Sequence, residues 1–343
     1  MVFAIFRGRS KVSSIFRSLR NRIVWLREVT HHPEAGVVSR AHLPRLLARV
    51  DWVELNTLID RHFGVQMELR GHHDWVALDG KVLRGTLASG DKQSVVFAVS
   101  HASRTLLAQA PMKGSKASEI PVVRDLLTRS QLETHKVTLD AHHCNPQTTA
   151  QIHQAGGQYV IQVKENQPLL LTQCQHVAAT AVPQGSHEEC DKGHGRLTTR
   201  AGQCFDMSAL SVAPRWSNSG IHTLVVMTRH TVTLATQKTT AETAYYISNQ
   251  ARRTDPQEQA LELTGAIRQH WHVESDNWIR DVTLDEDNVK TTSANQAQGM
   301  GCLRSLAMRL LRRFNVKNFQ EALEDFADCP SRFEALLRRV NFL

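Results

Sequence analysis

Apolar residues recur at helical spacing from the start of the chain. Ile15, Leu19, Ile23 and Leu26 share one face of 12–28, with arginines opposite. A second helix is expected after Ser39, burying Leu43, Leu46, Leu47 and Val50. A third is expected from Asp51, where Asp51 and Glu54 have capping-box spacing, through Leu55, Leu58 and Ile59 to Gly64. Beyond His73 the period shortens. Trp75–Leu78, Ser94–Ser100 and Thr105–Ala110 read as three strands of a meander. An amphipathic helix follows over 118–130, then a strand Lys136–Leu139, a helix Pro146–Ala155 stopped by Gly156-Gly157, and a strand Tyr159–Val163.

Three strands followed by helix, strand, helix, strand is an α/β plan of the ribonuclease H type, with the first and fourth strands side by side. Residues 171–250 interrupt it. Gly185, Gly193, Gly195 and Gly202 punctuate this stretch, and Leu224–Met227 and Ala244–Ser248 read as strands, so it is expected to be a mostly β insertion. Helices resume at Asp255-Pro256-Gln257-Glu258, where Asp255 suits the N-cap and Pro256 the first turn. Three further helices are expected near 293–315, 318–328 and 331–341. The expected organisation is a small basic helical domain over 1–70 and an α/β catalytic domain over 71–343.

Composition narrows the class. The 41% apolar and 22% charged residues across 343 positions suit a globular chain that buries a core. No run approaches a membrane span, and the apolar stretch before Arg7 is too short for a secretory signal. Six cysteines lie scattered without a Cys-x-x-Cys pair, which argues against a disulfide framework or zinc ribbon and for a reduced, cytoplasmic setting. Lys and Arg outnumber Asp and Glu by 41 to 33, and residues 1–50 alone hold ten basic side chains against Glu28 and Glu34. Two readings of that segment stand: a polyanion-binding surface or a solvated helical face.

Asp79 and Asp140 each follow a predicted strand, where α/β sheets place their sites. Either alone is explained by capping a turn. Together, on neighbouring strands, they could share a divalent cation, with oxygen ligands favouring Mg²⁺ or Mn²⁺ over zinc. On the helix from Pro256 the stripe Leu263, Ile267, Trp271 reaches Glu274 next. That glutamate is expected to face the sheet, compensated by a metal or by a salt bridge with Arg268 or Arg280.

The segments ALDGKVLRGT (77–86), VTLDAHHCNPQTTAQIHQAGGQYVIQVKENQ (137–167), GHGR (193–196), YYISN (245–249) and IRQHWHVESDNWIRDVTLDEDN (267–288) together resemble the ISAs1 family of insertion-sequence transposases and the H-repeat-associated proteins. Both are DDE transposases of the IS4-like group. The resemblance runs from about residue 5 to the end. It implies a ribonuclease H-like core, an acidic triad Asp79, Asp140 and Glu274, and probe-worthy two-metal chemistry with Mg²⁺ or Mn²⁺ on DNA ends. In that chemistry one ion activates water or a 3′-hydroxyl and the other stabilises the leaving oxygen. It further implies double-stranded DNA as partner, a homodimer in the active complex, and a nucleoid location. Lys81, Arg84, Lys164, Asn166, Arg268, His270 and Trp271 are the candidates for meeting DNA.

Departures are specific. The Tyr, Arg and Lys common around the IS4-like glutamate are absent, with Ile267, His270 and Asp281 in their places, while His270-Trp271 matches the ISAs1 pattern. Ser275-Asp276-Asn277-Trp278 is a variant of the usual stretch, and members extend further upstream than this chain begins. An inactive DNA-binding remnant and a nuclease on the same core are the alternatives.

Other residues have two readings each. His72-His73 and His142-His143 resemble metal ligands only in type, so surface or loop positions are expected. Trp271 and Trp278 stack on an unpaired base or pack in the core. Gly193–Arg196 meets DNA backbone or makes an ordinary turn. Arg304, Arg309, Arg312 and Arg313 contact phosphate or form a wet helical face.

Overall fold

The computed structural model describes residues 1–63, 74–83, 93–113, 119–208, 212–291 and 293–339. One nine-stranded mixed sheet organises them, in the order β3-β2-β1-β4-β5-β9-β8-β7-β6. Strands β1 (Trp75–Leu83), β2 (Gln93–Ser100) and β3 (Leu106–Lys113) form the expected antiparallel meander. Strands β4 (Lys136–Leu139) and β5 (Gln158–Val163) then add in parallel to β1. This mixed α/β arrangement is consistent with a ribonuclease H-like core.

Strands β6 (Gly185–Gly193), β7 (Arg196–Asp206), β8 (Thr223–Thr233) and β9 (Lys238–Ser248) continue the same sheet, because β9 pairs antiparallel with β5. The β insertion therefore extends the core sheet instead of standing apart. Phe205, Leu224, Val226 and Ile247 from its strands enter the same apolar cluster as Val76, Leu78, Val137 and Ile161. Strands β8 and β9 then run on beyond that cluster as a ribbon, half-buried along β8 and exposed along β9.

Helices α1 (Val2–Ile5), α2 (Val12–Arg20), α3 (Ile23–Thr30), α4 (His42–Arg49) and α5 (Trp52–Phe63) precede the sheet. The helix expected over 12–28 breaks at Asn21-Arg22 into α2 and α3. Asp51 caps α5, accepting from Val53 N at 2.8 Å and Glu54 N at 3.1 Å. The expected stop at Gly64 lies outside the described residues, as do His72, His73 and Arg84.

One face of the sheet is covered by α6 (Glu119–Arg129), α7 (Pro146–Gln154) and α8 (Pro168–Thr180). The other is crossed by α9 (Pro256–Trp278) and α10 (Ala294–Arg313), followed by α11 (Phe319–Asp328) and α12 (Pro330–Arg339). Asp255 caps α9, accepting from Gln257 N at 2.9 Å and Glu258 N at 3.2 Å. Gly157, after α7, lies against backbone: a Cβ there would meet His135 O at 2.8 Å.

The first five helices close their core with the last three. Phe3, Phe6, Ile15, Leu43, Leu47 and Ile59 share one cluster with Met300, Leu306, Leu310, Phe326 and Phe333. Arg7 Nε donates to Phe326 O at 3.1 Å and Arg304 Nη2 to Ser10 O at 3.2 Å, joining the two ends of the chain.

Candidate active site

Side-chain alternation decides what faces the cleft. In the β1–β4 register Trp75 lies beside Lys136, Ala77 beside Thr138, and Leu78 beside Leu139. Val76, Leu78, Val137 and Leu139 enter the core beneath α6 and α7, so the odd residues of β1 and the even residues of β4 face α9. Asp79 and Asp140 are the next pair on that face. They stand one step beyond the last parallel pairing, on strands about 4.8 Å apart.

The two aspartates differ in setting. Asp140 ends its strand as expected and caps the turn Ala141–His143, its Oδ1 accepting from His142 N at 3.0 Å. Asp79 does not end a strand: β1 continues to Leu83, with Asp79 paired across to Phe97 of β2. The DGKVL stretch reads as a turn in sequence, yet pairing with β2 holds it extended. Asp79 accepts from Gly80 N at 2.9 Å and from Asn277 Nδ2 at 3.1 Å. Burial first, and then the neighbouring carboxylates of Asp140 and Glu119, push its carboxyl up to about 7. A desolvated Asp79 carboxyl beside the half-exposed Asp140 carboxylate makes a hard-oxygen donor pair that a divalent cation suits. Among the described residues no three His, Cys, Asp or Glu side chains converge as a metal-binding group.

Glu274 sits on α9 but not as expected. Leu263 and Ile267 are buried; Trp271 is 51% exposed, and the buried stripe turns instead through Val273 and Asp276. Glu274 is exposed and lines a cleft of about 520 Å³ with Asp140, Lys164, Arg200, Arg229, Tyr246, His270 and Trp271. It pairs with neither alternative partner. Arg268 bonds Glu189 and Asp191 of β6, the latter at 3.1 Å, while Arg280 faces Glu286 at 3.6 Å.

The basic candidates separate. Lys81 is 6% exposed, its Nζ bonded to Asp281 and 3.9 Å from Glu286, which makes it a member of an internal ion-pair group. Lys81 faces α9 for the same reason Asp79 does, and a buried ammonium must be paired. Arg268 spends its charge on β6. Asn166 Nδ2 donates to Ala141 O at 2.7 Å and so holds the turn after Asp140. His270 Nδ1 meets Thr138 Oγ1 at 2.9 Å, and His101 Nε2 meets the same oxygen at 3.0 Å, making a chain behind Asp140. Lys164 is exposed in the cleft and makes no ion pair among the described residues. Trp271 is also accessible, with the Arg229 guanidinium 5.1 Å from its ring centre, so it does not pack in the core.

Two residues here were not legible as site residues. His143, expected on a surface or loop, is fully buried, and its Nε2 is 3.0 Å from Glu119 Oε1 and 3.8 Å from Asp140 Oδ1. Glu119 begins α6, 4% exposed, with its carboxylate against Gly80. In sequence it is one more acidic residue in a first helical turn; no spacing marks it. The C-terminal arginines also resolve: Arg304 and Arg309 are buried, Arg312 bonds Asp276, and Arg313 is exposed. His194 and Gly195 both take positive φ, 50° and 71°, making the β6–β7 link a tight hairpin turn. Burial pushes the Cys144 thiol up to about 12, which leaves it inert.

The mixed α/β sheet is consistent with the core of a transposase of the DDE type. The chain belongs to the Transposase DDE domain family, whose model matches residues 70–310. It is similar to YbfL and to the H repeat-associated protein YhhI of Escherichia coli K12, 28% identical in each case over 259 residues. Those matches cover 73% of this chain and 66% of each relative, slightly under two thirds of their length. YncI of Escherichia coli O157:H7 is 23% identical over 323 residues, covering 91% of this chain and 80% of that protein. YhhI and YncI both carry the word transposase in their names. No helix among the described residues is long and apolar enough to cross a membrane.

Proposed function

We propose that this chain cuts and joins DNA at the ends of an insertion sequence, by metal-dependent phosphoryl transfer with Asp79, Asp140 and Glu274 as its acidic triad. The observation that supports it most is the placement of Asp79 and Asp140 on one face of adjacent parallel strands, with Asp79 desolvated toward pH 7. Asp79 and Asp140 would hold Mg²⁺ or Mn²⁺, and Glu274, across the cleft, would complete the set when DNA enters. A divalent cation bound there supplies charge neutralisation at the scissile phosphate and an activated oxygen nucleophile. The chain's own groups do the rest. Lys164 offers an uncommitted ammonium to a phosphate, Trp271 a ring face to a base, and the Thr138–His270–His101 chain fixes the wall behind Asp140. Within the DDE transposases the His270-Trp271 pair supports assignment to the ISAs1 group.

The first seventy residues are the DNA-positioning part of this reading. Arg7, Arg9, Arg17 and Arg22, with Ser14, Ser18 and Asn21, line a hollow of about 510 Å³ that no carboxylate lines among the described residues. Such a surface, basic and without carboxylates, fits backbone phosphates. Two copies would act together, one at each element end, where the chromosome lies. The test uses duplexes of the DNA that borders the gene on each side, with Mg²⁺ or Mn²⁺. Cleavage and strand joining are expected; nicking without joining would identify a nuclease, and binding without cutting an inactive remnant.

A further inference from the structure

We infer that Glu119 and His143 are positioning residues that brace the Asp79–Asp140 pair from behind. The inference rests on the reading of that pair as the metal-holding site.

The geometry begins with a glycine. Gly80 follows Asp79 on β1, and the nearest atoms to any side chain placed there all belong to the Glu119 carboxylate, with Oε2 at 2.8 Å and Oε1 and Cδ closer still. Its backbone lies outside the positive-φ region, so conformation does not demand glycine there. Room for Glu119 does. The carboxylate lies flat against the backbone of the residue after Asp79, which restricts how that backbone can shift.

His143 completes the brace. It is fully buried, its Nε2 meets Glu119 Oε1 at 3.0 Å, and the same nitrogen is 3.8 Å from Asp140 Oδ1. It belongs to the turn that Asp140 caps. Glu119 thus touches the Asp79 side through Gly80 and the Asp140 side through His143. A buried carboxylate is costly to keep and would be replaced by an apolar residue if packing were its only duty. The pair's separation is the quantity this contact sets. A cation site tolerates little error in that separation, since oxygen ligands must sit near 2.1 Å from Mg²⁺ or Mn²⁺.

The experiment measures Mn²⁺ affinity by electron paramagnetic resonance on the full chain, alongside cleavage kcat and KM. Melting curves serve as fold control. Glu119→Ala is expected to weaken Mn²⁺ binding at least tenfold and to lower kcat with KM for DNA unchanged. Glu119→Gln keeps the shape and the bond to His143, so it should stay within about threefold of wild type. Gly80→Ala removes no donor at all, yet by displacing the Glu119 carboxylate it should reproduce the Glu119→Ala loss. The double variant Gly80→Ala with Glu119→Ala should be no worse than Glu119→Ala alone. Glu119→Gln as poor as Glu119→Ala would overturn positioning in favour of direct ligation. Gly80→Ala with wild-type Mn²⁺ affinity and kcat would overturn the brace altogether. A wild-type chain that neither binds Mn²⁺ nor cuts DNA would overturn the reading of the site itself, and this inference with it.

Discussion

Asn277 Nδ2 donates to Asp79 Oδ2 at 3.1 Å, tying the helix that carries Glu274 to the strand that carries the first aspartate. Asn277 lies three positions after Glu274, so the two side chains lie on neighbouring turns of α9. A hydrogen bond to a carboxylate is worth about 1.5–3 kcal/mol. Asn277→Ala is therefore expected to cut kcat for DNA cleavage by about tenfold or more, with a melting temperature within a few degrees of wild type. Asn277→Asp should be worse, since it sets a third carboxylate against Asp79. Unchanged kcat in both variants would remove Asn277 from the site.

Alanine at Asp79, Asp140 or Glu274 should each abolish Mg²⁺- or Mn²⁺-dependent cleavage while leaving duplex binding intact. Gel shift and cleavage on the same samples separate the two effects. Glu274 is the critical member, because it is exposed across the cleft from Asp140. Retained cleavage by Glu274→Ala would assign the third ligand elsewhere.

Lys81 and Lys164 should part company. Removing one partner of a buried ion pair costs roughly 3–5 kcal/mol, so Lys81→Ala, which strands Asp281, should lower stability severely. Lys164→Ala should leave stability within about 0.5 kcal/mol and weaken DNA binding. Chemical denaturation and a binding isotherm on each variant check this. A destabilised Lys164→Ala or a fully stable Lys81→Ala would contradict the burial argument.

Acid should act on the fold through two buried histidines that lose stability and through Asp79, whose raised carboxyl opposes them. Burial first, then the charges of His270 and His272, press His101 down to about 3, against a hydrogen bond with Gln269 that raises it. Burial chiefly, with His143 adding to it and Asp140 opposing, takes His270 down to about 4. Both are neutral in the folded chain at pH 5 and protonated in the unfolded one. Stability tracks the excess of protons bound by the unfolded state, so the histidine limb falls as pH drops from about 6.5 toward 4, while the Asp79 contribution rises as pH drops from about 7 toward 4. His101→Asn should flatten that limb, read as melting temperature against pH.

DNA affinity should reside partly in the hollow of Arg7, Arg9, Arg17 and Arg22. Deleting residues 1–50 is a poor test, because their apolar side chains share a core with α10, α11 and α12. Arg17→Glu with Arg22→Glu keeps the core. On duplex DNA the log–log salt slope is about −0.9 per phosphate contact, and the double variant should flatten it by roughly two contacts. An unchanged slope would return these arginines to a solvated face.

Much of the fold was readable because local pattern and tertiary demand agree there. β2, β3, β4 and β5 are short apolar runs between turn residues, and α7 and α9 carry their own caps in Asn145 and Asp255. Strands β6 and β7 were missed for a physical reason. GSHEECDKG carries no apolar stripe, since β6 meets α9 through Glu189 and Asp191 bonded to Arg268. Ionic partners distant in sequence leave no periodic trace.

The sequence alone pointed to the candidate acids and to most of the elements, because an aspartate after an apolar run and a helix cap are local signals. Only the tertiary structure decided which charges are free. Lys81, Arg268, Arg304 and Arg312 are as basic in sequence as Lys164, and each is held by a carboxylate or carbonyl contributed by another part of the chain. It likewise placed Glu119 and His143 beneath the aspartate pair. A charge in a low-dielectric interior is kept only with a partner, and partner choice is a property of packing that no single segment encodes.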